Sequence, residues 1–258
     1  MTDAVSWSRK DAVFTIVVNR PAARNAMSVE VWRLLMQALD EAEGDANIRA
    51  LIVTGAGGNF VAGADIKEFV ALDGPKAEAR SRQIAGFYDR VRRSPKPSVA
   101  AIDGWCLGAG FELALACDVR IATDRAKLGY PEIKLGIFPG TGGTVLLQKL
   151  IGAAAARELS LLGEPISAAR AHMLGIVSAV VSAPDLAVAA EAIAAKFAAL
   201  SPFALAKAKS VLDAMLDDDM TAMREAEYAA YRACFESADR AEGVAAFIEK
   251  RKAKFTGR

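Results

Sequence analysis

The chain is poor in the residues that carry much of enzyme chemistry. Its 258 residues include one histidine, His172. That excludes a histidine-rich metal site. A Ser-His-Asp triad would have to use His172, and no Gly-x-Ser-x-Gly elbow accompanies it. Its setting, Ala-Arg-Ala-His-Met-Leu-Gly, reads as an ordinary helix surface. The three cysteines, Cys106, Cys117 and Cys234, are odd in number and lack CxxC spacing. They read as reduced, mostly buried thiols of a cytoplasmic protein rather than as a disulfide framework. No apolar run reaches the roughly 18 residues of a membrane helix. The longest uncharged stretches, 50–64 and 135–148, are broken by glycines. The N-terminus carries no basic stretch followed by an apolar one, so neither a secretory signal nor a membrane association is expected. Net charge is +1 with a pI near 7.7, which gives no global pull toward nucleic acid.

What is present is enough apolar sequence for a sizeable core: 53% hydrophobic against 24% charged. The first half alternates strand and helix signals. Residues 12–19 are β-branched and apolar and read as a buried strand. Ser28 is placed to N-cap a helix whose Val31, Leu34, Leu35 and Leu39 share one face and which Gly44 ends. Residues 49–54 predict the next strand. A helix over 76–93 stops at Ser-Pro-Lys-Pro, and strands are expected at 98–102 and 119–122. This repetition predicts an α/β fold with a parallel sheet and crossover helices. Beyond Gly140 the pattern turns helical, with segments at 154–162, 168–174, 185–200, 202–216, 221–235 and 240–254. The expected organisation is an α/β core over 1–195 and a helical C-terminal region over 196–258.

Two glutamates dominate the chemistry. Glu112 lies in Asp103-Gly-Trp-Cys-Leu-Gly-Ala-Gly-Phe-Glu112-Leu-Ala-Leu-Ala, and Glu132 in Leu128-Gly-Tyr-Pro-Glu132-Ile-Lys-Leu-Gly-Ile-Phe-Pro-Gly-Thr-Gly-Gly. Carboxylates in apolar, glycine-bent surroundings are rarely buried without a task. Desolvation and mutual repulsion raise at least one pKa of such a pair toward neutrality, which suits general acid–base work. The glycines of Asn59-Phe-Val-Ala-Gly-Ala-Asp-Ile-Lys-Glu-Phe69 and of Gly108-Ala-Gly free backbone N–H groups. The first N–H groups of a helix lack internal partners, and two donors converging on one carbonyl make an oxyanion hole. The same glycines also suit tight turns and close helix packing.

Taken together and in this order, the three segments resemble the enoyl-CoA hydratase/isomerase (crotonase) superfamily. The resemblance runs from Asn19-Arg-Pro-Ala-Ala-Arg-Asn-Ala to the C-terminus. It implies a crotonase-like spiral of ββα units with a helical C-terminal trimerisation region, hence a homotrimer or a dimer of trimers. It implies that Ala64 and Ala109 N–H groups hold the thioester carbonyl. Glu112 would activate water and Glu132 would exchange the C2 proton, with Gly140 supporting the water and acyl region. Coenzyme A enters as part of an acyl-CoA substrate, with no separate cofactor and no metal. It would lie against Ala62, Asp65 and Ile66, with Arg24 and Lys67 near its adenine and phosphates and Lys250 reaching from the C-terminal basic run. That run also reads as a solvated helix face. Keeping both glutamates favours hydration of a trans-2-enoyl-CoA, in fatty-acid β-oxidation or related acyl-CoA catabolism. The alternatives are Δ3,Δ2-enoyl-CoA isomerisation, another crotonase-type hydrolase or lyase reaction, and a non-catalytic or RNA-binding member. Two departures stand out: Ala109 replaces a common glycine, and Val145-Leu-Leu-Gln-Lys replaces Gln-Arg-Leu beside the pocket.

Overall fold

The computed structural model describes residues 3–217 and 220–254. Its strands among these residues are β1 (Val5–Lys10), β2 (Val13–Val18), β3 (Ala50–Gly55), β4 (Ser98–Ile102), β5 (Trp105–Leu107), β6 (Val119–Thr123), β7 (Lys127–Gly129), β8 (Ile166–Ser167) and β9 (Ala179–Val181). The main sheet has the order β1-β2-β3-β4-β6-β9. β1 is its antiparallel edge, pairing Val5 with Val18 and Lys10 with Val13. Every later pair is parallel, as the strand–helix alternation predicts. A second sheet, β5-β7-β8, stands beside it.

Each face of the main sheet has its own helical cover. Phe14, Ile16 and Val18 of β2, Leu51 and Val53 of β3 and Ile102 of β4 enter the principal core. There they meet α1 (Val29–Gly44) through Val31, Leu35 and Leu39. Ser28 caps that helix by accepting from Val31 N–H. α2 (Gly74–Arg93) and α3 (Ala109–Ala116) complete this layer. On the other face Ile52, Val99 and Ile121 pack against Leu186, Ala190 and Ala194 of α7 (Leu186–Ala198). Between them in sequence come α4 (Gly143–Ile151), α5 (Ala153–Leu162) and α6 (Ala168–Met173). His172 is exposed on α6, where its Nδ1 meets the Val177 carbonyl at 3.0 Å.

The C-terminal part is α8 (Pro202–Asp217), α9 (Met220–Glu236) and α10 (Ala238–Ile248). A boundary after residue 195 would cut the last turn from α7, which belongs to the sheet; the chain breaks instead at Ala199–Ser201. The final helix is also shorter than the expected 240–254. Lys250 takes φ 55°, Lys250 N–H bonds Phe247 O and Arg251 N–H bonds Ala246 O. This is a Schellman closure, so Lys250 and its basic neighbours lie beyond the helix and not on its face. Within the terminal run, Arg251 is bound to Glu242 and Glu249.

The loop opening the resemblance is pinned by one side chain. Asn25, fully buried at φ 60°, donates to Ala56 O and Asn59 O (both 2.8 Å) and accepts from Arg20 N–H (2.8 Å). Three backbone groups depend on it, next to the segment that carries Ala62 and Ala64. Asn25→Ala would strand all three and place alanine at positive φ. The expected loss is about 3 kcal/mol, read as a lower urea midpoint at unchanged slope. A loss under about 1 kcal/mol would show that the loop is held by other contacts.

Candidate active site

Two backbone amides face one cavity because of how their neighbours pair. Met27 forms an isolated parallel bridge with Ala64: Met27 N–H donates to Gly63 O, and Asp65 N–H donates to Met27 O. In a parallel bridge the opposing residue's own N–H points away, so Ala64 N–H is left for the cavity. Ala109 is the first residue of α3, and its N–H has no acceptor a turn back. Both residues line the cavity. The first turn of α3 is also tied from behind: Tyr88 hydroxyl donates to Ala109 O at 2.6 Å.

The alanine in Gly108-Ala109-Gly110 does not disturb this geometry. Gly108 takes the positive φ (51°), and a β-carbon there would lie 2.5 Å from Glu132 Oε1. At Gly110 a β-carbon would fall 2.2 Å from Val61 O. Both glycines are required by close approach, whereas Ala109 sits at ordinary helical φ.

Glu112 is 5% exposed in the first turn of α3. Its Oε1 accepts from Gly143 N–H (3.1 Å) and Thr141 N–H (3.3 Å). Gly143 opens α4, so its N–H is one of the helix's unpaired donors. Glu132 sits in the 3-10 turn Pro131–Leu135. It is half-buried as a residue, yet its Oε2 is shielded and has no hydrogen-bond partner. Burial first, and the nearby Glu112 second, push its carboxyl up to about 8, against a weaker pull from its own backbone N–H. The two carboxyl groups open on one cavity whose wall is otherwise largely apolar, including Trp32, Phe69, Ile84, Leu135, Ile137 and Phe138.

Of the other expected site residues, Gly140 lines the cavity, lying against the Tyr231 ring with its carbonyl bonded by Ser81. The amides that hold Glu112 come from its neighbours Thr141 and Gly143. Ala62 and Ile66 also line the cavity. Arg24 and Lys67 are exposed beside them, Arg24 O accepting from Ala62 N–H. Asp65 does not line the cavity and pairs instead with Arg20 (3.1 Å). Lys250 is exposed and lines no part of the cavity. Nor do residues 145–149 of α4. Sequence reasoning did not find Arg80, Ser81, Thr141 or Tyr231, which bring polar groups to the wall. Among the described residues, no group of three or more His, Cys, Asp and Glu is arranged to hold a metal.

Comparison with known proteins identifies relatives over the whole chain. The family model described as enoyl-CoA hydratase/isomerase matches residues 8–258. A probable enoyl-CoA hydratase of Bacillus subtilis (strain 168) is 42% identical over 262 residues, covering 99% of each chain. A probable enoyl-CoA hydratase of Mycobacterium bovis is 40% identical over 256 residues, again covering 99% of each. Among solved structures, an enoyl-CoA hydratase/isomerase from Xanthobacter autotrophicus Py2 superposes with a TM-score of 0.89 at 32% identity, covering 100% of both chains.

The raised Glu132 carboxyl carries a stability signature. Its folded pKa, about 8, lies above the unfolded value near 4.5. Between those values the native state holds a proton that the unfolded state has released, so stability falls as pH rises. Glu132→Gln removes the effect. The variant's stability advantage should be flat below about pH 4.5, grow toward pH 8 and then level off, reaching at most about 5 kcal/mol. A pH-independent difference in urea unfolding would show that the carboxyl is not so perturbed.

Proposed function

The chain belongs to the enoyl-CoA hydratase/isomerase family of the crotonase superfamily, and on that premise we propose that it adds water across C2=C3 of a trans-2-enoyl-CoA to give a 3-hydroxyacyl-CoA. The observation that carries this reading is the asymmetric carboxyl pair. Glu112 is fixed as an acceptor by two amides, and Glu132 is buried and proton-retaining on the same cavity.

The steps follow from that arrangement. The thioester oxygen takes the Ala64 and Ala109 N–H groups, which bind it more strongly as it gains negative charge. Glu112 accepts a proton from water as the water oxygen bonds to C3. The C2=C3 π electrons move toward the thioester, giving an enolate held by the two amides. Glu132 delivers its proton to C2, and a proton returning from Glu112 to Glu132 closes the cycle. Nothing in this sequence needs a metal or a covalent intermediate; it needs position, charge stabilisation and proton traffic. A single acid–base residue suffices to shift a double bond, so the second glutamate favours hydration over isomerisation. Degradation of fatty acids or related acyl-CoA catabolism is the reaction context we assign. Phe203, Val211 and Leu212 stand exposed on α8, and this apolar surface supports assembly as a homotrimer or a dimer of trimers.

Crotonyl-CoA should lose its conjugated-thioester absorbance with formation of 3-hydroxybutyryl-CoA. Glu112→Gln and Glu132→Gln should each lower kcat by about 10²–10⁴-fold. Because Glu132 acts as the acid, kcat in the hydration direction should fall as pH rises past about 8. Wild-type rates in both variants would sink the reading, and a shifted double bond without added water would replace it with isomerisation.

A further inference from the structure

The acyl pocket has one feature that an unsubstituted hydrocarbon chain leaves unused. Arg80, on α2, lines it with a side chain only 17% exposed. Of its guanidinium nitrogens, NH2 donates to Glu68 Oε2 at 2.6 Å. Nε and NH1 have no protein acceptor among the described residues, and neither is sealed off from contact. Glu68 cannot turn to serve them, because its Oε1 is committed to Val29 N–H (2.9 Å) at the start of α1. A second polar group stands nearby. Tyr231, from α9, lines the same cavity, and the charge of Arg80 acts on its hydroxyl against the upward push of burial and the two glutamates. The hydroxyl, too, makes no hydrogen bond to the described protein.

Donors of this strength on a largely apolar wall are costly to leave unmatched. A guanidinium with unmatched N–H donors takes a carboxylate through charge-assisted hydrogen bonds. Resting on the hydratase reading above, we propose that Arg80, with Tyr231, forms an anion subsite in the acyl pocket, and that the preferred substrate is a trans-2-enoyl-CoA whose chain ends in a carboxylate. The phosphates of coenzyme A are the other source of negative charge. They are assigned to the exposed cations Arg24 and Lys67, next to the lining residues Ala62 and Ile66, whereas Arg80 lines the cavity from α2 together with Ala77, Ser81 and Ile84 of the same helix. The subsite also gives a purpose to the Glu68–Arg80 pair. One carboxylate holds the guanidinium in place from the protein side, and the substrate's carboxylate completes it from the cavity side.

The test compares two matched series of trans-2-enoyl-CoAs, with chains of four to ten carbons, one ending in methyl and one in carboxylate. The wild-type protein should show a kcat/KM at least about tenfold higher for the carboxylate member at one chain length. Arg80→Met should reverse that order, chiefly by raising KM for the carboxylate series, and Arg80→Lys should restore part of it. Wild-type preference for methyl at every length overturns the subsite and leaves the hydratase reading standing. Equal loss by Arg80→Met on both series also overturns it, since that is the signature of a coenzyme A contact or of a structural role. Hydration of neither series by the wild-type protein would remove the hydratase reading itself, and the subsite with it. The wild-type comparison decides the matter even if a variant fails to fold.

Discussion

A short helix with every residue buried has two ends that water cannot satisfy, and much of this structure answers that constraint. α3 is such a helix: all of Ala109–Ala116 is buried. Its carbonyl end is closed by Arg120, whose guanidinium donates to Cys117 O (2.5 Å), Ala114 O (3.4 Å) and Ile176 O (2.6 Å). That places a cation at the negative end of the helix. The amide end is not closed in the same way. Gly108 bends into it and Val61 O crowds Gly110, so Ala109 N–H is left facing the cavity. The fold therefore presents one buried amide, and through the Met27–Ala64 bridge a second, toward a space that a carbonyl oxygen can enter. Electrostatic catalysis asks for donors already oriented before charge develops. Here the orientation is set by the packing of α3, with no mobile side chain involved.

The same helix sets the two glutamates in unequal surroundings. Glu112 lies one turn into α3 and receives the opening amide of α4 together with that of Thr141. Two helix N-termini thus meet at one cavity, one with its first residue on the wall and the other with an amide on the Glu112 carboxylate. Among the described residues, none gives Glu132 Oε2 a comparable hydrogen bond. Glu132 sits on a 3-10 turn under an apolar wall, with one oxygen unpartnered. Two ionised carboxylates are costly in a shared apolar cavity, and burial first, with Glu112 beside it second, pushes the Glu132 carboxyl up. An acid–base pair emerges from backbone placement, with no histidine involved.

How much of this was legible in the sequence depended on the length of the signal. The parallel core was visible because β2, β3 and β4 are apolar runs of five or six residues punctuated by glycine, proline or a capping serine. β5, β7, β8 and β9 were not, since two or three residues carry no periodicity. β1, Val-Ser-Trp-Ser-Arg-Lys, reads as polar because only its first residue is buried. α4 was missed because its helical run lies inside an uncharged, glycine-rich stretch that reads as loop. The glycine pair before Thr144-Val-Leu-Leu was the available sign of a helix N-terminus, and with it came the amide of Gly143 on Glu112. Motif order gave Ala64, Ala109, Glu112 and Glu132 because each is fixed by local backbone. It could not give Arg80 or Tyr231, which reach the cavity only through packing of α2 against α9.

That packing also explains why the C-terminal helices cannot be treated as an appendage. Arg82 of α2 is held by both oxygens of Glu225 and stacks 4.2 Å from the Tyr228 ring. Arg224 binds both oxygens of Asp89. The guanidinium of Arg224 lies close to Gly142, in the loop that holds Glu112. Farther along α9, Tyr231 and Phe235 stack at 5.0 Å, and Phe235 meets Phe69 at 5.6 Å. One face of α9 therefore touches the loop that positions the base, the wall that meets the acyl chain and the segment that follows Ala64. A shift of α9 along α2 would move all three together. On the proposed hydratase reading, chain selectivity and proton transfer are coupled through one helix pair, and a substitution on α9 far from the reacting carbons changes both.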